Sequence, residues 1–212
     1  MKIIKPSVKL IWITPNPLQR IEEAGRTCYK SESRITKDSA EKFVRMILKR
    51  GHESVLEHAV ASMRFICDRG VTHELVRHRI ASYSQESTRY CNYSGKDIEF
   101  IKPIFWSDEM REGSEHGLTY INDKYAFWEA AMEDSEKAYN YLIEQGATPQ
   151  EARSVLPNSL KTEIVVTMNF REWRHFFKLR CAKTAHPQMQ EVANMALEIF
   201  KKEVPVIVED IK

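Results

Sequence analysis

The sequence predicts an α+β fold in which a mixed, mainly antiparallel sheet packs with long helices. Some stretches alternate apolar and polar residues, as half-buried strands do, and others repeat apolar residues three and four positions apart, as helices do. The two kinds of stretch do not alternate strictly along the chain, which argues against a doubly wound parallel sheet. The 212 residues contain no internal repeat and no low-complexity segment, so we expect one domain spanning residues 1–212.

Two strands and two helices are predicted in the first part of the chain. Residues 8–13 favour a strand, and a helix follows from Leu18 to Tyr29. Gly51 marks the end of the next helix, whose apolar face comprises Ala40, Phe43, Val44, Ile47 and Leu48. A second strand is expected over residues 59–67, where the inward side chains would be Ala59, Ala61, Met63, Phe65 and Cys67.

A long helix, a strand and a final helix are predicted in the rest of the chain. The long helix would extend from Leu118 to Leu142, with a three-four spacing of Leu118, Ile121, Tyr125, Trp128, Met132, Tyr139 and Leu142. Such a seam packs against another helix, either in a second subunit or within the same subunit. Alternation predicts a strand over residues 161–168, and the last helix should begin near Pro187 and stop before Pro205. The stretch from Asn92 to Gly117 is predicted to be a surface loop that could cover a site.

Composition excludes several classes of protein. Lys plus Arg (32) nearly balance Asp plus Glu (30), so the net charge of +2 gives no general field for nonspecific nucleic-acid binding. No apolar run approaches the ~20 residues that a membrane span requires. Four single cysteines and the absence of a secretory leader indicate a soluble, cytoplasmic protein with reduced thiols.

Two common ways of holding a cofactor or metal are also absent. The seven glycines stand far apart, so neither a dinucleotide-binding nor a Walker-type glycine loop can present backbone amides to phosphate. His73 and His78 resemble a zinc motif, but ligands five positions apart on a helix point about 140° away from each other. His52 and His58 lack a recognised ligand spacing. We therefore expect no metal site.

Positive charge is concentrated between Arg77 and Arg89. This segment sets three arginines and a histidine against one carboxylate, and adds hydroxyl and amide groups. Guanidinium groups bind phosphate bidentately, while Ser and Gln side chains can meet the uncharged edges of a ligand. The expected ligand is a nucleotide or a dinucleotide cofactor.

Three other interpretations of the same features stay open. Glu74 could pair with Arg77 and His78 on one helical face, for about 0.2–0.5 kcal/mol per pair. The segment from Arg77 to Arg89 could instead belong to a nucleic-acid-binding module that grips backbone phosphates. The long helix by itself would also suit a structural, oligomer-forming protein.

Arg77-His78-Arg79 followed by Ser87 resembles the signature of flavin-dependent thymidylate synthases. Five further blocks resemble that family in the same order: residues 51–58 (Gly-His-Glu-Ser with Glu-His at its end), Glu151 to Pro157, Asn169-Phe170-Arg171, His175-Phe176 and Leu179-Arg180. A short motif alone produces false positives, but ordered blocks with compatible intervals make chance similarity improbable.

The resemblance implies a thymidylate synthase, that is, a methyltransferase. A one-carbon unit would pass from 5,10-methylenetetrahydrofolate to C5 of dUMP, giving dTMP, with the hydride supplied by reduced FAD and with NADPH or NADH as the reductant. It also implies a homotetramer whose active sites lie between subunits. The partners would then be dUMP, folate and further copies of the chain, without nucleic acid or membrane.

The resemblance further implies roles for individual residues, carried over position by position. The cofactor-binding residues would be Ser54, Arg77, His78, Arg79, Gln85, Asn169, Arg171 and His175. The substrate-binding residues would be Glu74, Arg77, Gln85, Glu86, Ser87, Thr88, Arg89, Arg153 and Arg180. Arg180 would be catalytic, because a fixed cation beside the uracil ring stabilises negative charge there and raises electron density at C5.

Two positions allow more than one role. Glu74 stands where relatives carry Gln, and it could orient Arg77 or His78 instead of contacting the substrate. Asn169 follows a predicted strand, so it could cap the next helix as well as contact the flavin.

Overall fold

A computed structural model describes residues 1–113, 117–120 and 122–211. They form two compact units, each assembled from separated stretches of chain. The first unit comprises Met1–Pro6, Ile66–His73 and Gln85–Glu163, and the second comprises Ser7–Phe65, Glu74–Ser84 and Ile164–Lys212. The expectation of one domain over residues 1–212 stays a prediction.

Strands and helices are mixed along the described chain, as expected for an α+β protein. The strands are β1 (Lys2–Ile4), β2 (Ser7–Ile13), β3 (Val60–Asp68), β4 (Ala81–Gln85), β5 (Glu99–Ile101), β6 (Met110–Gly113), β7 (Gly117–Tyr120) and β8 (Lys161–Asn169). The helices are α1 (Pro17–Thr27), α2 (Ala40–Lys49), α3 (Arg69–Leu75), α4 (Asp123–Glu144), α5 (Pro149–Ala152), α6 (Phe170–Arg180), α7 (Pro187–Glu203) and α8 (Pro205–Val208). Short 3-10 turns occur at Glu32–Arg34, Glu53–His58 and Arg153–Val155.

Four strands form a sheet in the order β2-β3-β8-β4, and most of their residues belong to the second unit. Phe170 N donates to Ala59 O at 2.8 Å, and the hydroxyl groups of Ser62 and Thr167 lie 2.5 Å apart. Paired residues therefore have increasing residue numbers along β3 and decreasing residue numbers along β8, so the two strands are antiparallel. Every second side chain of both strands is buried, which confirms the predicted alternation.

Helix α6 packs on this sheet through an aromatic core. Trp173, Phe176 and Phe177 are fully buried, and Trp173 Nε1 donates to the carbonyl of Ala61 at 3.1 Å. Burying a large apolar side chain stabilises the fold by about 1.5–3 kcal/mol. The aromatic face holds α6 in place, so the polar side chains on its other face are presented from a rigid element.

The first unit has its core around α4. Tyr125, Met132 and Tyr139 are buried on this helix, and the last two share a core with Phe100 and Leu160. Of the two expectations for the seam of the long helix, packing within the same subunit is therefore the one that the structure supports.

The predicted start of the long helix at Leu118 is wrong. Residues 117–120 form strand β7, which pairs antiparallel with β6, and Ile121 lies outside the described residues. The side chain of Asn122 accepts a hydrogen bond from Lys124 N at 3.0 Å, and this cap sets the start of α4 at Asp123.

The stretch from Asn92 to Gly117 is not the irregular loop that its composition predicted. It contains β5, which pairs in parallel with β1, and also β6; its residues 114–116 lie outside the described part. Strand β5 has only three residues, and its partner strand lies at the start of the chain. A strand so short and so distant from its partner leaves no periodic pattern to recognise.

The remaining predicted elements are confirmed. Helix α2 begins at Ala40 and buries Phe43, Val44 and Ile47, and α7 begins at Pro187 as predicted. All four cysteines are free thiols. Within the described residues, no helix has both the length and the apolar composition needed to cross a lipid bilayer.

Candidate active site

Both units contain residues that the sequence predicted for the site. In the second unit these are Ser54, Glu74, Arg77, His78, Arg79, Asn169, Arg171, His175 and Arg180. In the first unit they are Gln85, Glu86, Ser87, Thr88, Arg89 and Arg153.

Arg180, at the last turn of α6, is anchored at three points within the second unit. Its Nη1 donates to the carboxylate of Glu74 at 2.5 Å, and its Nη2 donates to the backbone carbonyl of Glu74 at 3.1 Å. Its Nε lies 3.2 Å from His78 Nε2. Because planar guanidinium presents its donors in a fixed fork, three partners define both its position and the direction of its plane.

His78 is a neutral acceptor in this arrangement. Its ring is buried against Phe176 and His175, with centroid distances of 5.2 and 5.5 Å, and its Nδ1 lies 2.9 Å from Glu172 Oε1. Burial lowers the pKa of His78; the hydrogen bond to Glu172 opposes this change, and the charge of Arg180 reinforces it. The imidazole therefore stays uncharged at neutral pH, and one ring nitrogen is free to accept.

Arg77 and Arg79 lie in a turn that is tied to strand β4. The hydroxyl of Tyr83 donates to the carbonyls of Leu75 and His78, at 2.7 and 2.6 Å. Burial raises the pKa of Tyr83 to about 12, so the phenol keeps the single proton that it shares between the two carbonyls. The Tyr83 hydroxyl thus fixes the backbone of the turn that carries the two arginines.

The guanidinium groups of Arg77 and Arg79 are exposed, and among the described residues neither has a carboxylate partner. The alternative in which Glu74 pairs with Arg77 and His78 on one helical face is wrong. Helix α3 ends at Leu75, and the carboxylate of Glu74 is bonded to Arg180. Exposed guanidinium groups without a carboxylate partner have donors available to bind an anion.

These groups line one cavity of about 290 Å³, which is surrounded by Arg77, His78, Arg79, Ile80, Glu172, His175, Leu179 and Arg180. Buried Arg174 on the same helix, by contrast, is occupied by Glu53 and Asp210. The cavity is rich in cationic donors and suits an anionic ligand.

A metal ion suits this cavity poorly, although the ligand atoms of His78, Glu172 and His175 lie within 4.8 Å of one another. Three arginines line the same cavity and would repel a divalent cation. Both ring nitrogens of His78 are already hydrogen-bonded. Sequence reasoning missed Glu172, because its hydrogen-bond partner His78 lies far away in the sequence.

The other residues predicted to bind the cofactor in the second unit have different surroundings. Ser54 lines another cavity, of about 550 Å³, together with His52 and Arg50. Arg171 is exposed and forms an ion pair with Glu57 at 2.7 Å. These two side chains do not line the cavity of Arg180.

Asn169 is the N-cap of α6. Its side-chain oxygen accepts from Glu172 N at 2.9 Å, which confirms the capping role and leaves the predicted flavin contact as a prediction.

We expect Asn169→Ala to lower the free energy of unfolding by about 1 kcal/mol and Asn169→Ser to restore it, because serine also caps helices. Denaturant unfolding measures both changes. Equal stability of the two variants would contradict the capping role. Lower flavin content in both variants would support the predicted contact of Asn169 with the flavin.

In the first unit, Gln85 and Glu86 are held by neighbouring polar groups. Gln85 Nε2 donates to the hydroxyls of Thr72 and Thr162, at 3.1 and 3.3 Å. The carboxylate of Glu86 accepts from Tyr93 Oη at 2.8 Å and from Lys161 Nζ at 3.3 Å. The side-chain amide nitrogen of Gln85 is therefore committed inside the unit, whereas its carbonyl oxygen remains available as an acceptor.

Thr88 and Arg153 line a cavity of about 450 Å³ in the first unit, which also includes Arg69 and His73. This cavity is a candidate site for a second ligand. Arg153 Nη1 donates to Thr88 Oγ1 at 3.3 Å. Arg69 and His73 were missed from the sequence, because neither belongs to a recognised block. The cavity has two guanidinium groups and no acidic lining residue, so an anion suits it as well.

Ser87 and Arg89 complete the segment. Ser87 Oγ accepts from Arg89 N at 3.3 Å, and the guanidinium of Arg89 lies 5.4 Å from the ring centroid of Tyr90. Arg89 and Tyr90 are both exposed. A guanidinium stacked on an exposed ring keeps its donors free for a ligand.

Comparison with known proteins identifies the family. A family model described as thymidylate synthase complementing protein matches residues 9–206. The flavin-dependent thymidylate synthase of Geobacter sulfurreducens is 35% identical over 96% of this chain and 85% of its own length. The enzyme of the same name from Pyrococcus horikoshii is 39% identical over 95% of this chain and 83% of its own length.

A solved structure supports the fold. The UMP/dUMP methylase PolB from Streptomyces cacaoi, bound with 5-Br dUMP, superimposes with a TM-score of 0.80 at 24% identity, covering 99% of this chain and 96% of PolB. The family model spans nearly the whole chain, and relatives share more than a third of its residues over most of their length. The chain therefore belongs to the thymidylate synthase complementing protein family and is an enzyme of the flavin-dependent thymidylate synthase type.

Proposed function

We propose that this enzyme converts dUMP to dTMP, with 5,10-methylenetetrahydrofolate as carbon donor, FAD as flavin and NADPH or NADH as reductant. The observation that carries the proposal is the three-point anchoring of Arg180 at a cavity that also presents Arg77 and Arg79. The Streptomyces methylase, of the same fold, is described as binding a dUMP analogue, which supports dUMP as the substrate here.

The donor set fits a flavin dinucleotide. With no glycine loop in the sequence, phosphates must be held by side chains, and Arg77, Arg79 and His175 are exposed cationic or polar groups at one cavity. His78 would complete the contacts near them, while Ser54, Gln85, Asn169 and Arg171 would hold other parts of the cofactor. When bound and reduced, FAD supplies the hydride that completes the methyl group.

Arg180 acts on the substrate ring in this proposal. A guanidinium fixed beside the uracil carbonyl and N3 stabilises negative charge on the ring, which makes C5 more nucleophilic. Anchoring by Glu74 and His78 means that the cation is in place before the substrate binds, so little reorganisation accompanies the reaction. None of the four thiols is required for this activation. Burial raises the pKa of Cys67 and of Cys181, which keeps both protonated.

Glu74 contributes by holding Arg180 and not by binding phosphate. An ionised carboxylate only accepts hydrogen bonds, so it repels phosphate and can contact the substrate only through a hydroxyl such as that of the sugar. The phosphate of dUMP would be held by Ser87, Thr88, Arg89 and Arg153, with Gln85 and Glu86 beside them.

The size and the exposed edge of the cavity at Arg180 support the proposed homotetramer, in which other subunits would complete the site. The cavity at Arg180 has about 290 Å³, near the lower end of the ~300–1,000 Å³ typical of ligand sites, so it can hold only part of a dinucleotide. Two of its lining residues, Ile80 and Leu179, are 67% and 47% exposed. Apolar side chains at the edge of a binding site are suited to being covered by a partner. The cytoplasmic location stays a prediction.

The experiment that tests the proposal is direct. We expect the purified protein to be yellow with FAD and to form dTMP only when dUMP, methylenetetrahydrofolate and a reduced nicotinamide are all supplied. Chromatographic detection of dTMP, with each component omitted in turn, gives the answer. A colourless protein that cannot be reconstituted with FAD, or one that binds oligonucleotides in a salt-dependent way without forming dTMP, would contradict the proposal.

A further inference from the structure

Glu172 has no role in the chemistry described so far, yet it is a buried carboxylate beside the cavity of Arg180. It is 8% exposed and lies in the first turn of α6. Its Oε1 is 2.9 Å from His78 Nδ1, and the opposite nitrogen of that ring is 3.2 Å from Arg180 Nε. A carboxylate, an imidazole and a guanidinium are thus joined in one line.

The direction of the hydrogen bonds in this line follows from chemistry. The Nε of arginine carries a hydrogen and can only donate, so His78 Nε2 must be the unprotonated acceptor. The single ring proton of neutral His78 then lies on Nδ1 and is donated to Glu172. Among the described residues, Glu172 is the only hydrogen-bond partner of that nitrogen. The hydrogen bond at one ring nitrogen decides which tautomer the other nitrogen presents.

We propose that Glu172 is a positioning residue for Arg180. By holding the proton of His78 on Nδ1, it makes Nε2 the acceptor that fixes the guanidinium at its Nε. Without this carboxylate, the other tautomer would place an N–H group against the Nε–H group of Arg180, and the two donors would repel each other. Arg180 would then keep only its bonds to Glu74 and would swing away from the direction that His78 imposes.

All charged or titratable groups around His78 are compatible with this assignment. Helix α6 contributes Glu172, His175 and Arg180, and Tyr83 of β4 donates its hydroxyl to the backbone carbonyl of His78. Among these groups, Glu172 alone accepts from the Nδ1 side. The kinetic consequence of the inference rests on the proposed function of Arg180, whereas the tautomer does not.

The first experiment measures the tautomer in the unaltered protein. Protein labelled with ¹⁵N-histidine, as purified with its cofactor, is examined by long-range ¹H–¹⁵N correlation at neutral pH, and His78→Gln identifies the signal. We expect a protonated, pyrrole-type Nδ1 and an unprotonated, pyridine-type Nε2. The opposite pattern, or a doubly protonated ring, would overturn the inference without any variant having to fold.

The second experiment separates hydrogen bonding from charge. Glu172→Gln keeps an acceptor oxygen and should retain the tautomer and most of the turnover. Glu172→Leu removes the acceptor at similar volume and should lower kcat about 10-fold or more, as loss of the groups that orient metal-ligating histidines does in metal sites. Flavin content and KM for dUMP should change little. Glu198→Leu, at an exposed position of α7, is the matched control.

The outcomes distinguish this inference from the proposed function. Wild-type kcat in Glu172→Leu, or an equal loss in both Glu172 variants, would contradict the positioning role. If the leucine variant does not fold, the tautomer of His78 measured in the unaltered protein still tests the inference. A protein that forms no dTMP but shows the expected tautomer would refute the proposed function alone, and an active protein with the opposite tautomer would refute the inference alone.

Discussion

Arg180→Ala is expected to reduce dTMP formation by about 100- to 1,000-fold, while the flavin stays bound. This is the range found when a single fixed donor to a developing charge is removed. The loss should appear in kcat, because in the proposed role Arg180 stabilises charge that develops on the ring and contributes less to binding the ground state. Its guanidinium is anchored by Glu74 and His78, and alanine leaves nothing in its place. Steady-state kinetics and the flavin absorbance of the same preparation measure the two quantities.

Two variants serve as controls for this result. Arg180→Lys retains a positive charge but cannot satisfy Glu74 and His78 with one planar fork, so we expect an intermediate loss of turnover. Arg20→Ala removes an exposed arginine that pairs with Glu23 on α1, and it should behave as the unaltered protein. Loss of flavin together with activity in Arg180→Ala would assign Arg180 to the cofactor instead of the substrate.

The surroundings of Arg180 could not have been predicted from the sequence. Glu74 and Arg180 are more than a hundred positions apart, and their ion pair depends on how α3 and α6 pack. Local spacing suggested instead that Glu74 would pair with Arg77 and His78, as it would on a continuous helix. That suggestion failed because α3 ends at Leu75. The role of Glu172 was missed for the same reason, since its partner His78 lies far away in sequence.

Elements with a strong periodic pattern were predicted well. Strands β3 and β8 and helices α2 and α7 each bury one regular face, so their sequences carry the period of their structure. The start of α4 was misplaced because Leu118 fits a helical period by chance, whereas a side-chain cap at Asn122 decides where the helix begins. Periodicity indicates which residues face a core, and capping and distant pairing set the limits of an element.

The concentration of arginines between Arg77 and Arg89, together with the family resemblance, pointed to Arg77 and Arg79 as ligand-binding residues. Neither observation shows which arginines are free of carboxylate partners, whereas the structure separates Arg77 and Arg79 from Arg174. Arg174 is 1% exposed and bonded to Glu53 and Asp210, whereas Arg77 and Arg79 are exposed and without carboxylate partners among the described residues. The donors of Arg174 are therefore committed to structural ion pairs, whereas those of Arg77 and Arg79 are available to a ligand.

Arg79→Ala is expected to weaken FAD retention by about 10- to 150-fold. A hydrogen bond to a charged group contributes about 1.5–3 kcal/mol, and each ~1.4 kcal/mol changes affinity tenfold. The effect should be this large because the sequence has no glycine loop whose backbone amides could replace a lost guanidinium. Fluorescence titration of flavin-free protein with FAD measures the dissociation constant.

The comparison with Arg77→Ala makes this prediction specific. Arg77 is expected to contact both cofactor and substrate, so its removal should weaken FAD and also raise KM for dUMP, whereas Arg79→Ala should affect FAD alone. The Tyr83 hydroxyl bonds to the backbone of Leu75 and His78 and not to either arginine, so both variants should keep the turn intact. Unchanged FAD affinity in Arg79→Ala would contradict the proposal that guanidinium groups, in place of backbone amides, bind the phosphates of FAD in this site.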